Sequence, residues 1–140
     1  MRVRTRRGRN RLVSLLLVAV LVCATAPTAA ARINWARARL VTVVAVDYRF
    51  VPDHLVFRRG VPYRLHVANR GKALHELHAP AFFRTVVLRN PAALNPEHSE
   101  LVLQPGEQKD LYFVARRRGQ YDMRCPDHDW AGMTGDITVK

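Results

Sequence analysis

The chain has 140 residues, with 23 Lys and Arg against 11 Asp and Glu, and a formal charge of +12. Six of the basic residues (Arg2, Arg4, Arg6, Arg7, Arg9 and Arg11) precede residue 12, where no acid occurs, so much of that charge belongs to an N-terminal segment. The length admits one small domain with a real core and excludes two.

The basic start is followed by an apolar run from Leu12 to Ala26 and by small residues ending at Ala29, Ala30 and Ala31. This order of basic, apolar and small residues is that of a secretory signal. The run has 15 positions, short of the roughly 20 a membrane-spanning helix needs. The expected organisation is a signal peptide over 1–31, a short N-terminal segment over 32–39 and a folded domain over 40–140. Arg6-Arg7 lacks the residues usually found after a twin-arginine pair. Val20-Leu21-Val22-Cys23 looks like a lipobox, but Val22 is bulky where a small residue is expected. Without residues 1–31 the charge is 17 basic minus 11 acidic, or +6. The reading is a periplasmic protein with no stable membrane insertion once the leader is removed.

Cysteine usage is informative. Cys23 lies in the leader, which leaves Cys125 alone and makes an intramolecular disulfide in the exported domain impossible. A lone thiol in an oxidising compartment is exposed to oxidation unless something such as a metal occupies it.

Along the chain, 40–46 is rich in β-branched residues and reads as a strand. A bend over 47–52 follows, then a strand over 54–57 and a turn at Arg59-Gly60. Residues 62–68 alternate, with Tyr63, Leu65 and Val67 against Arg64 and His66, as a strand with one buried face does. Asn69-Arg70-Gly71-Lys72 is turn chemistry. Pro80, Pro91 and Pro96 exclude a long helix over 79–96, leaving room for a helical turn or strand around 82–88. Strands are expected over 100–103, 109–115, 120–125 and 135–139, with turns at 104–107 and 116–119. Seven or eight short strands with frequent turns indicate an antiparallel β-sandwich.

The chemistry concentrates in Cys125-Pro126-Asp127-His128-Asp129-Trp130-Ala131-Gly132-Met133. A thiol, an imidazole and a thioether at C-x2-H-x4-M spacing are a donor set suited to copper in both of its oxidation states, and a second histidine from elsewhere would complete it. A methionine donor disfavours structural zinc. A CuA centre needs two cysteines, and a multicopper oxidase needs repeated domains; both are excluded.

This segment resembles the ligand loop of the cupredoxins, the small blue-copper proteins such as plastocyanin and pseudoazurin. Asn69 to His75 is similar to their upstream histidine segment, with His75 placed 50 positions before Cys125. Phe50-Val51-Pro52, Leu103 to Glu107, Gly119-Gln120-Tyr121 and Gly132 to Gly135 extend the resemblance over about residues 40–140. It implies an all-β, Greek-key sandwich with one copper ion at one end. It implies His75, Cys125 and His128 as equatorial ligands, Met133 as the axial one, and one-electron transfer through the edge of His128.

Glu76 stands where many plastocyanin-like proteins have Asn; an acid there would lower the potential or could itself become a ligand. His78 competes with His75, but two strand positions three apart face opposite ways. His54, His66 and His98 read as surface or satisfied histidines, and Trp130 as a packing residue, a lid or a contact aromatic. Arg116-Arg117-Arg118 reads as a solvated hairpin tip or as a patch steering an acidic partner or anionic lipid. The function expected is electron shuttling by a monomer, not an enzyme, between redox partners with acidic docking surfaces. The alternative is a copper carrier, buffer or accessory of a metal-uptake system. Nucleic acid is not an expected partner.

Overall fold

The computed structural model describes residues 32–140; the expected signal peptide over 1–31 lies outside the described residues. Ten strands occur: β1 (Arg39–Val46), β2 (Arg49–Val51), β3 (His54–Phe57), β4 (Pro62–Asn69), β5 (His75–His78), β6 (Val86–Leu88), β7 (Glu100–Leu103), β8 (Gln108–Ala115), β9 (Gly119–Arg124) and β10 (Thr134–Val139). A one-turn helix α1 (Pro80–Phe83) and three short 3-10 turns complete the chain.

The strands form two five-stranded sheets, in the orders β2-β1-β4-β8-β6 and β3-β10-β9-β5-β7. Seven of the nine connections between consecutive strands change sheet, so the two layers are built together. The expected all-β sandwich is present, with ten strands in place of seven or eight. Beyond the seven strands named from the sequence are β2, in the 47–52 bend, β5 at His75, and β6, in the 82–88 stretch that left room for a helical turn or strand. One expectation is corrected: the sheets are mixed rather than wholly antiparallel. β1 runs parallel to β4 and β3 runs parallel to β10, because crossovers between the layers return the chain in the same direction.

Alternation carries the burial. On β4, Tyr63, Leu65 and Val67 are buried while Arg64 and His66 are not, as a two-residue period against one core requires. The inner faces meet in a contiguous core. One half of it is aromatic: Phe57 packs edge-on against Phe113 at 4.9 Å between centroids and against Tyr63 at 4.8 Å, and Phe82 meets Phe113 at 5.3 Å. This half lies where β3 and β8 end and β4 begins. The opposite end of the sandwich carries the turns between β1 and β2, β4 and β5, β7 and β8, and β9 and β10.

On the outer face of β4 and β8, Asp110 accepts from Arg64 Nη2 at 2.8 Å and pairs with His66 Nδ1 at 2.9 Å. The Arg64 hydrogen bond foremost, and His66 after it, hold the Asp110 carboxyl below its ordinary value of 3.8. A depressed carboxyl stabilises the fold above its unfolded pKa, and the contribution disappears as pH falls through the folded value. Urea midpoints of wild type and Asp110→Asn should therefore converge as pH falls below about 4, with the wild type the more stable at neutral pH. Parallel pH profiles of the two would refute this.

Candidate metal centre

The strand register delivers several chemically active segments to one end. β1 and β4 finish there, so the Asp47-Tyr48 turn and the Asn69 to Leu74 turn lie side by side. β5 begins there with His75. β9 finishes at Arg124 and β10 starts at Thr134, so Cys125 to Met133 forms a loop across the same end.

Backbone hydrogen bonds hold that loop closed. The Cys125 N–H donates to the Met133 carbonyl at 2.9 Å, the Met133 N–H to the His128 carbonyl at 3.2 Å, and the His128 N–H to the Cys125 carbonyl at 3.0 Å. Gly132 leaves the 3-10 turn Asp129–Ala131 at φ +84°, a left-handed conformation that favours glycine. The upstream turn is braced by buried Asn69. Its Nδ2 donates to the carbonyls of Ala73 and Leu103, and its Oδ1 accepts from the Gly71 N–H.

These frames bring His75, Cys125 and His128 together. One ligand atom from each lies within 4.8 Å of the other two, the only such group of His, Cys, Asp and Glu among the described residues. Cys125 Sγ is 3.4 Å from His128 Nδ1 and accepts the Glu76 N–H at 3.4 Å. Met133 is fully buried, tied by its backbone to Cys125 and His128. Glu76 is not part of the cluster; burial first, then Glu100 and Asp127, pushes its carboxyl up. His78 faces the other way, as its strand position requires, and pairs with Glu100 at 3.0 Å. His54 and His66 pair with Asp136 and Asp110.

His75 is fully buried, and its two ring nitrogens differ. Nε2 meets Asp47 Oδ1 at 2.7 Å, whereas Nδ1 is buried without a hydrogen-bond partner among the described residues. Asp47 also accepts the N–H groups of Lys72 at 2.8 Å and Ala73 at 3.3 Å. The Lys72 bond foremost holds this carboxyl below its ordinary value, so it accepts the Nε2 proton and leaves Nδ1 with a free lone pair. Burial pushes the Cys125 thiol up. An orphaned imidazole nitrogen, a buried thiol and a second imidazole at this spacing fit a soft or borderline metal ion. The cation would compensate the thiolate and satisfy the lone pair.

Sequence reasoning missed three contributors. Asp47 reaches His75 across 28 positions, which no local pattern reveals. Tyr48 stacks on His128 at 4.5 Å between centroids and 29° between planes, and its ring centroid lies 6.1 Å from that of Trp130, tilted by 46°. Gly71 read as a turn residue, but its role is space: a Cβ there would collide with Asp47 Oδ1 and lie 2.7 Å from His75 Nε2. Trp130, expected foremost as a packing residue, is 76 % exposed, with its Nε1 donating to the Asp127 carbonyl.

Comparison with known proteins agrees with this geometry. A sequence profile described as a cupredoxin-like domain matches residues 13–139. No curated protein matches the chain. Among solved structures, auracyanin B superposes with a TM-score of 0.55 at 22% identity, covering 74% of this chain and 90% of that one. Reduced auracyanin from the photosynthetic bacterium Roseiflexus castenholzii gives 0.55 at 17% identity, covering 74% and 98%. The periplasmic domain of cytochrome oxidase subunit II from Bradyrhizobium japonicum gives 0.52 at 14% identity, covering 73% and 83%. At these identities the likeness speaks for the fold alone.

The Asp47–His75 contact and the space over it are open to test. Asp47→Ala and Gly71→Ala should each weaken metal retention by roughly 10–100-fold, the effect typical of losing a partner that orients a ligand. Chelator competition measures it, and retention equal to wild type in both variants would show that the contact does not orient His75.

Proposed function

This chain belongs to the cupredoxin-like family, and from that premise we propose that it holds one copper ion at a type 1 site and passes single electrons between redox partners in the periplasm. The observation that carries the reading is the convergence of His75, Cys125 and His128 around an unpartnered imidazole nitrogen. His75 Nδ1, Cys125 Sγ and His128 Nδ1 are the proposed main donors, and the Met133 thioether would be a weaker fourth. Copper bound there would supply a one-electron couple between its two oxidation states.

The chain's own residues do the rest. Asp47 fixes the His75 tautomer and favours the more highly charged state of the metal. The Glu76 N–H and the buried surroundings of Cys125 tune the thiolate from the other side. Hydrogen bonds at both ends of the 125–133 loop hold the donors still, which keeps the geometric cost of changing oxidation state small.

His128 is partly exposed under Tyr48, and Trp130 stands beside them. We take this aromatic face as the electron's way out and as the contact for a redox partner of the monomer. The protein carries electrons rather than transforming a substrate. Acidic docking surfaces on the partner, expected from the overall charge, would meet Arg49, Arg70, Lys72 and Arg124 near the site, although Asp47, Glu76, Asp127 and Asp129 stand among them. The periplasmic assignment rests on the leader sequence. Among the described residues no helix is long and apolar enough to cross a membrane. Full burial of His75 and Cys125 weighs against the alternative of a copper carrier or accessory of metal uptake, which needs an open, exchangeable site.

Adding Cu(II) should produce an intense thiolate-to-copper band in the visible and reversible one-electron voltammetry. Cys125→Ser should abolish the band, His78→Ala should leave it intact, and Asp47→Asn should raise the midpoint potential. Tight Cu(I) binding without the band, with rapid handover to chelators, would replace the shuttle by the carrier. A band lost in His78→Ala and kept in His75→Ala would overturn the choice of histidine.

A further inference from the structure

The charge of the domain is sorted along its long axis. At the end opposite the metal centre, the β8–β9 turn, which crosses between the sheets, carries Arg116, Arg117 and Arg118, and the β3–β4 turn carries Arg58 and Arg59. The chain enters and leaves here too. Arg37 ends the 3-10 turn before the first strand, Arg39 opens that strand, and Lys140 follows the last, its carbonyl accepting the Arg59 N–H at 2.8 Å. Arg84 borders the same hollow as Arg117 and Arg118. All nine side chains are exposed, and none forms an ion pair among the described residues. None of the chain's 11 acidic residues lies in these turns or terminal segments. Of the 17 basic residues beyond position 31, nine therefore form an unopposed cap, and the remaining eight share the rest of the surface with all 11 acids.

We propose that this cap docks the domain on an anionic lipid surface, with the metal centre directed away from the bilayer. Clustered arginines at a negatively charged leaflet are attracted over about a Debye length, and unpaired guanidinium groups lose no internal partner on binding. The cap is assembled from several separate turns, and the hollow that Arg84, Arg117 and Arg118 border is lined by no acid. Such a diffuse field matches a plane of headgroups better than the discrete paired charges of a protein dock. The inference is independent of which metal, if any, the other end holds.

The test uses the full chain with phosphatidylcholine vesicles and with vesicles of phosphatidylcholine and phosphatidylglycerol. Sedimentation should show preferential binding to the anionic vesicles that weakens as salt rises. Replacing Arg116, Arg117 and Arg118 by Ser should lower affinity for the anionic vesicles by roughly tenfold or more. Removing the same charge at the metal end (Arg49→Ser, Arg70→Ser, Lys72→Ser) should change it about twofold or less. The two tryptophans report orientation: Trp35 precedes β1 at the basic end, and Trp130 stands in the 125–133 loop. With quencher-labelled lipid, Trp35 emission should fall in Trp130→Phe, and Trp130 emission should persist in Trp35→Phe. An Arg116–Arg118 variant that binds the anionic vesicles as tightly as wild type, or quenching of Trp130, overturns the proposal. Equal binding to both vesicle types also overturns it and leaves the cap as a surface for an acidic protein.

Discussion

A single weak hydrogen bond ties the two halves of the site together. The Glu76 N–H donates to Cys125 Sγ at 3.4 Å, joining β5 to the end of β9 across 49 positions of sequence. It exists because β5 and β9 are neighbours, with His78 opposite Arg124. That register sets His75 beside Cys125 as a consequence of sheet pairing, with no need for local design in either segment. A slip of one residue would turn His75 outward and His78 inward, since strand faces alternate. The observed phase is held by Leu77, fully buried on the inner face between half-buried Glu76 and His78, and by four paired positions with β7. The apolar core thus decides which histidine reaches the metal centre.

Much of this was legible in the sequence because it depends on short-range chemistry. The C-x2-H-x4-M spacing sits in one loop, and the distance of His75 from the Asn69 turn is local as well. The two-residue alternation in β4 carried over directly into burial. What was not legible is contact across many positions of sequence. Asp47 read as part of a bend, yet its carboxylate assigns the His75 tautomer. Tyr48 in the same bend covers His128, and Gly71, an ordinary turn glycine by sequence, keeps the space between Asp47 and His75 open. The parallel pairs were missed for a related reason: alternation reveals that a residue run is a strand, but not which neighbour it chooses or in which direction.

The two ends of the sandwich solve different problems with different residues. At the metal end, charges are mixed and the conspicuous exposed surface is aromatic, with Tyr48 and Trp130 beside His128. Aromatic surface at the exit of a redox centre excludes water without demanding a fixed set of ion pairs, which suits encounters that must form and dissolve quickly. At the far end the surface is cationic and lacks acids, and behind it lies the aromatic half of the core around Phe57 and Phe113. That rigid base lets the arginines of the β3–β4 and β8–β9 turns be carried outward without internal partners.

This separation bears on how a small carrier would work near a membrane. If one surface served both for attachment and for electron exchange, every attachment would block the site, and salt would weaken both together. Sorting the charge along the axis removes the conflict. The cationic cap would face the bilayer at one end, while the aromatic face around His128, with Arg49, Arg70, Lys72 and Arg124 near it, would stay free for a redox partner at the other. An orienting field of this kind also raises the fraction of encounters that present His128 to a partner, since rotation is restricted before contact is made. The position of the charge on the fold, beyond its sum, thus sets which surface would meet which partner.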